Sequence, residues 1–183
     1  MRNSIILFIL LITLKLSSQE NSQCGIIYGE NHSFKLTAPS EWVLDNKSGV
    51  KQGLHAVFYK KGQSWANATT VMYANTATLE MEGQRTLSEL MEFDSETFQK
   101  NYPGIIITNK NQIRIGEKTV AKVKYFGSES YGNFENIAYI DAGNIGIFIV
   151  MSSRNKKEME TNYSKFVELV KSYEYIADYN VTE

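Results

Sequence analysis

Apolar positions recur along this chain with two different periods, and the switches between them mark out its elements. Residues 5–14 form an apolar run broken by one hydroxyl. From residue 34 the pattern becomes alternation. Phe34, Leu36 and Ala38 are separated by Lys35 and Thr37, as in a half-buried strand, and Pro39 ends it. Trp42-Val43-Leu44 follows, then a polar stretch over 45–53. Residues 54–59 and 69–75 read as two more strands, the second rich in Thr, Val and Tyr. The loop between them holds Gly62 and Trp65.

At Thr86 the period lengthens. Thr86 and Glu89 fit a capping box, in which hydroxyl and carboxylate satisfy backbone N–H groups that the first turn leaves free. Leu87, Leu90, Met91, Phe98 and Tyr102 fall at helical spacing on one face, and Pro103-Gly104 stops the helix. Alternation then returns. Residues 105–115 read as a strand broken near 109–111, and Gly116-Glu117-Lys118 as a turn. In 119–126, Ala121, Val123 and Tyr125 take one side while Lys122 and Lys124 take the other. A loop over 127–133 holds Tyr131, and strand 134–140 leads to a hairpin turn at 141–144. Residues 145–151 are apolar on both faces, which predicts a central strand covered on both sides. Short connections make these strands antiparallel neighbours. A last helix spans about 155–173, with Asn155 and Glu158 as its capping box. Its apolar stripe is Met159, Tyr163, Phe166, Leu169, Val170 and Tyr173. The predicted fold class is α+β: an antiparallel sheet of about six or more strands flanked by two main helices.

The N-terminal run has a different meaning. Arg2 precedes it, Lys15 ends it, and Ser17-Ser18-Gln19 is small and polar, the order of a secretory signal peptide. A spanning helix needs about 20 apolar residues, roughly twice what is present. The expected organisation is a signal peptide over 1–19, a flexible mature N-terminus over 20–27, one domain over 28–177 and a tail over 178–183. The mature protein is then expected to be secreted or periplasmic, with no membrane insertion after signal removal.

Charge narrows the partners. The formal net charge is -1, and loss of Arg2 and Lys15 takes it to -3. That is far from the basic stripe of a nucleic-acid binder. The lone Cys24 forms no intramolecular disulfide, and pairing between chains stays open.

The strand ending in Pro39-Ser40-Glu41-Trp42, the mid-chain helix, the strand meander and a terminal helix running into Ser172-Tyr173-Glu174-Tyr175 together resemble the PsbP/Mog1-like proteins, many of them small secreted bacterial proteins. The resemblance covers about 28–175. It implies an α/β/α sandwich and binding or accessory roles. Members include a photosystem subunit and a binder of a nuclear transport GTPase. The export signal speaks against the latter role here, and no residue points to the former. No shared catalytic set comes with the family.

The residues themselves offer little chemistry. Ser128-Glu129-Ser130-Tyr131-Gly132 lacks the first glycine of a nucleophile elbow and lies between strands. His32 and His55, expected on separate strands, lack the companions that a zinc site requires. Glu80 with Glu82, Glu89 with Glu92 and Glu158 with Glu160 read as solvated pairs. No Gly-x-x-x-x-Gly-Lys phosphate loop is present. Asn31, Asn46, Asn67, Asn162 and Asn180 head Asn-x-Ser/Thr triplets, Asn162 beside the buried stripe. No catalytic residue, cofactor or metal is therefore assigned. Trp65 and Tyr131 are the candidate binding residues, because large aromatics in loops often anchor partners. The expected function is an exported, non-enzymatic binding or accessory domain for an unknown protein or small ligand. The alternatives are an exported hydrolase whose residues, His55 among them, are scattered in sequence, or a carrier of a small apolar ligand.

Overall fold

The computed structural model describes residues 23–28, 32–79, 86–143 and 145–177. The signal peptide and tail expected at the two ends lie outside the described residues. The elements in chain order are β1 (Cys24–Tyr28), β2 (Ser33–Thr37), β3 (Trp42–Asp45), β4 (Val57–Lys60), β5 (Thr70–Thr78), α1 (Leu87–Asn101), β6 (Ile106–Asn109), β7 (Ile113–Ile115), β8 (Thr119–Ser128), β9 (Asn133–Asp141), β10 (Ile145–Ser153), α2 (Lys156–Lys171) and β11 (Glu174–Ala177).

An 8-stranded antiparallel sheet runs β3-β4-β5-β10-β9-β8-β6, with β7 also paired to β8. As its two-sided apolar pattern requires, β10 lies at the centre, between β5 and β9. Side chains alternate across the sheet. Ile147, Ile149 and Met151 of β10 meet Met159, Phe166, Leu169 and Val170 of α2 in one cluster. Val150 of β10 joins Ile137 and Tyr139 of β9 and Leu87, Leu90 and Met91 of α1 in another. The two helices thus cover opposite faces. Burial of a large apolar side chain stabilises by about 1.5–3 kcal/mol, so the α2 cluster is a principal source of stability. Gly146 lets α1 approach the sheet: a Cβ there would lie 3.0 Å from Leu90 Cδ2 and 3.3 Å from Leu87 Cδ1.

Thr86 and Asn155 cap their helices as their spacing predicts, but the return half of the capping box differs: the Glu89 carboxylate accepts from the Thr86 hydroxyl, and the Asn155 N–H goes to Ser153. The Thr86 hydroxyl accepts from the Glu89 N–H at 3.2 Å and donates to its carboxylate at 2.9 Å. Asn155 Oδ1 accepts from the Glu158 N–H at 3.0 Å. The Pro39–Trp42 turn closes with a 3.0 Å backbone bond and holds Glu41 at φ 67, a left-handed conformation uncommon outside glycine.

Three further sequence expectations need correction. First, the flexible stretch over 20–27 is in part a strand. β1 pairs with β2, Ile27 is buried, and Gly25 leaves room for Leu44. Second, β11 follows α2 and pairs with β2, so β1, β2 and β11 form a separate 3-stranded sheet. That sheet adds Phe34 and Leu36 to the α2 side of the core. Third, His55 is exposed in the loop before β4, and His32 is buried just ahead of β2; neither lies on a strand. Asn162 is also buried, donating from Nδ2 to the Glu158 carbonyl at 2.7 Å, which removes it as a glycosylation acceptor.

Candidate functional site

The buried polar groups on the α2 face of the sheet, Thr70, Asn136, Ser153 and Asn162, are all neutral, whereas the α1 face carries charged groups in a line. α1 presents Leu87, Leu90 and Met91 to the sheet, and the next position of that helical period is Asp94. Its carboxylate accepts from the Tyr139 hydroxyl at 2.9 Å. Beside it, β9 brings Glu135 onto the same face, two residues before Ile137. Glu135 pairs across strands with Ser152 of β10 and Phe126 of β8, and the Ser152 hydroxyl donates to its carboxylate at 3.3 Å.

Burial dominates the electrostatics here. Loss of water pushes the Glu135 carboxyl up to about 7, opposed by the Ser152 hydrogen bond and assisted by the charge of Asp94. Burial, then the charges of Glu135 and Asp94, raises the Tyr73 hydroxyl well above its ordinary value. Tyr139 is raised further, by burial first and then by the charge of Asp94 and the hydrogen bond to it. Tyr73, Asp94, Glu135 and Tyr139 are therefore one electrostatic unit, carrying up to two negative charges beneath α1.

Aromatic rings flank this unit at one end of the sheet. Trp65, half-buried in the β4–β5 loop, meets the Tyr73 ring edge-on at 6.4 Å. Tyr131, 52% exposed in the β8–β9 turn, meets Tyr102 at 5.3 Å. Phe98 continues that chain, 6.0 Å from Tyr102 and stacked 4.2 Å from Phe126, the cross-strand neighbour of Glu135. The two loop aromatics do not touch each other. Both lie at one rim of the sheet, where the ladders set Thr70, Ser153, Phe134 and Gly127 side by side, with Trp65 in the loop before Thr70 and Tyr131 in the turn after Ser128.

Sequence reasoning passed over Tyr73, Asp94, Glu135 and Tyr139. Asp94 had a signal, since it fills the gap at helical spacing between Met91 and Phe98. Glu135 had a weaker one, standing inside a strand on the side of Ile137 and Tyr139. Among the described residues no three His, Cys, Asp or Glu side chains gather into a set that would hold a metal ion. No helix among them is long and apolar enough to cross a membrane.

Comparison with solved structures bears on the fold. The chain is similar to the cyanobacterial PsbP (CyanoP) of Synechocystis, with a TM-score of 0.54 at 11% identity over 87% of this chain and 96% of that one. It is similar also to the Saccharomyces cerevisiae Ran-binding protein Mog1p, with a TM-score of 0.51 at 11% identity over 86% and 96%. The chain has the PsbP/Mog1-like fold. No family model matches it, and no curated protein does. At such identity the likeness concerns the fold alone. Within this fold Trp65 lies in the β4–β5 loop against Tyr73, and Tyr131 in the β8–β9 turn against Tyr102 at the C-terminus of α1.

Proposed function

We propose that this chain is an exported, non-enzymatic binding or accessory domain that takes a basic segment of a protein partner on the rim between Trp65 and Tyr131. One observation carries the reading: half-buried Trp65 and exposed Tyr131 stand at one end of the sheet, next to a layer holding two carboxylates, Asp94 and Glu135, each bound by a hydroxyl. Such a surface suits a lysine or arginine side chain, which aromatic faces and carboxylates both attract. The fold is consistent with a binding role, since one of its solved examples is named as a Ran-binding protein. Function does not follow from fold alone, so the weight rests on the rim. Export rests on the charged, apolar and small-polar order of 1–19.

The alternatives have less support. A hydrolase using His55 would require that exposed loop residue to reach a carboxylate and a nucleophile. An apolar carrier requires a greasy cavity. Three clefts among the described residues, of about 370, 540 and 670 Å³, are open to solvent, and each has charged and amide side chains in its wall.

Site-specific photo-crosslinking tests the reading. A benzoylphenylalanine at Trp65 and another at Tyr131 are expected to capture the same partner in the cell envelope. A third at Lys171, exposed at the end of α2, is expected not to. Capture equal at all three positions, or absent from the first two, overturns the assignment. Mass spectrometry of the native protein tests export: retention of 1–19 overturns it.

A further inference from the structure

The β8 alternation puts Lys122 and Lys124 on the α1 face, away from the rim and beside the start of α1. Lys124 is buried, with 9% of its surface exposed. Its ammonium donates to the Met91 carbonyl at 2.9 Å and to Ser95 Oγ at 2.6 Å, both neutral. Its charge partner is Glu92, an ion pair at 3.6 Å, longer than a hydrogen bond and from a side chain that is 71% exposed. A buried ammonium is normally paired with an opposite charge; here the short bonds go to neutral acceptors and the opposite charge sits on an exposed side chain that a ligand can displace.

The edge of the sheet opens at the same place. The pairs Asn109–Lys124 and Ile113–Ala121 leave Lys110, Asn111 and Gln112 opposite Lys122 and Val123. This bulge separates β6 from β7, and bulges commonly re-aim side chains beside binding sites. The result is a cleft of about 370 Å³, floored by Lys122, Val123 and Lys124 and walled by Ser88, Glu92 and Gln112. Ser88 is in the first turn of α1, so the positive end of the helix dipole adds to the field of the two ammonium groups. Lys122 reaches across, donating to Ser88 Oγ at 3.2 Å. Lys110 also lines the cleft, while its ammonium lies 5.2 Å from the centroid of the Tyr125 ring.

We infer that this cleft is a binding site for a small organic anion with a carboxylate or phosphate head, seated between the ammonium groups of Lys122 and Lys124. The volume falls in the range of small-molecule sites and exceeds what a bare inorganic ion fills. Lysines act as point charges and do not require the planar fork geometry of arginine, so either head group fits. The Asn109 and Gln112 side-chain amides supply donors for the rest of the molecule.

Amide NMR titration of the purified protein tests this, at fixed ionic strength, with glycerol 3-phosphate, succinate and inorganic phosphate as probes. Saturable shifts are expected at Ser88, Gln112 and Lys122, with the two organic anions binding more tightly than inorganic phosphate. Lys122→Ala, an exposed position, is expected to weaken binding roughly tenfold, the scale of one charged hydrogen bond. Glu92→Gln removes the opposing charge and is expected to tighten it about threefold. Lys157→Ala, on the opposite helix, is the control. Shifts that do not saturate, or losses equal in Lys122→Ala and Lys157→Ala, overturn the site. Tighter binding of inorganic phosphate than of both organic probes overturns the ligand class.

Discussion

The two faces of the large sheet are covered by helices of nearly equal length with the same kind of cap, yet what lies beneath them differs. Under α2, Ile147, Ile149, Met151, Phe166, Leu169 and Val170 are all at 0% exposure and apolar. Under α1, Leu87 and Leu90 share the space with Asp94, Ser95, Lys124, Glu135 and Tyr139. An apolar contact needs no partner, whereas each buried polar group costs stability unless its hydrogen bonds are met. The α1 face meets them with Tyr139 on Asp94, Ser152 on Glu135, and Ser95 and the Met91 carbonyl on Lys124. The α2 face also buries polar groups, Thr70, Asn136, Ser153 and Asn162, but all of them are neutral, so the difference between the faces is one of charge. The comparison teaches that one helix secures the domain while the other bounds surfaces suited to charged partners.

The largest effect is expected from the dry face. Phe166→Ala removes a ring at 0% exposure from the α2 cluster. It is expected to cost about 3–5 kcal/mol of unfolding free energy. Phe98→Ala, on the half-buried aromatic chain of α1, is expected to cost less than half of that. Urea denaturation of both variants measures the difference. Equal losses would remove the distinction between the faces.

The second effect is specific to the polar face and depends on pH. The Glu135 carboxyl is raised in the folded protein to about 7, chiefly by burial, from an ordinary value of 4.5. Between those values the folded state binds more protons than the unfolded one, so stability falls as pH rises. The contribution is fully present below about 4.5 and is lost by about pH 7, with a total on the order of 3 kcal/mol. Asp94 of α1, Tyr73 of β5, and Tyr139 and Ser152 of the neighbouring strand positions are the groups facing it. Glu135→Gln keeps the shape without the charge. Relative to that variant, wild type is expected to lose ground from pH 5 to pH 8 in chemical denaturation. A constant difference would show that Glu135 does not titrate in this window.

What the sequence disclosed follows the same division. The α2 stripe is uninterrupted from Met159 to Tyr173, so its period reads directly, and β10 declares its central place by being apolar on both faces. The break near 109–111 in the edge strand is legible from its polar run. β11 is not, because its pairing joins distant segments: Glu174 lies opposite Lys35, and no local pattern reports that. The α1 site is hidden because Asp94, Lys124 and Glu135 carry charges, and charge in a sequence reads as surface. Only the strand and helix registers show these three turned inward. Trp65 and Tyr131 stand out as loop aromatics, but their ring partners Tyr73 and Tyr102 emerge only from the packing.

The smallest effect asks whether the faces differ in their local chemistry or only in what they bury. Thr86 and Asn155 occupy the same position at the starts of α1 and α2, each accepting from the N–H of the glutamate three residues on. A cap acts within the first turn and is indifferent to the face beyond it, so Thr86→Ala and Asn155→Ala should each cost about 1 kcal/mol. The pair differs in its further bonds: the Thr86 hydroxyl also donates to the exposed Glu89 carboxylate, a bond that water can replace. Ser153 Oγ also donates to the Asn155 carbonyl at 2.9 Å and accepts from its N–H at 3.1 Å, contacts that alanine retains. The two losses are therefore expected to agree within a few tenths of a kcal/mol when measured by denaturation at one pH. A much larger loss from Thr86→Ala would mean that the first turn of α1, beside the Lys122 cleft, is held by its cap alone, and the contrast between the faces would then extend from what they bury to how their helices begin.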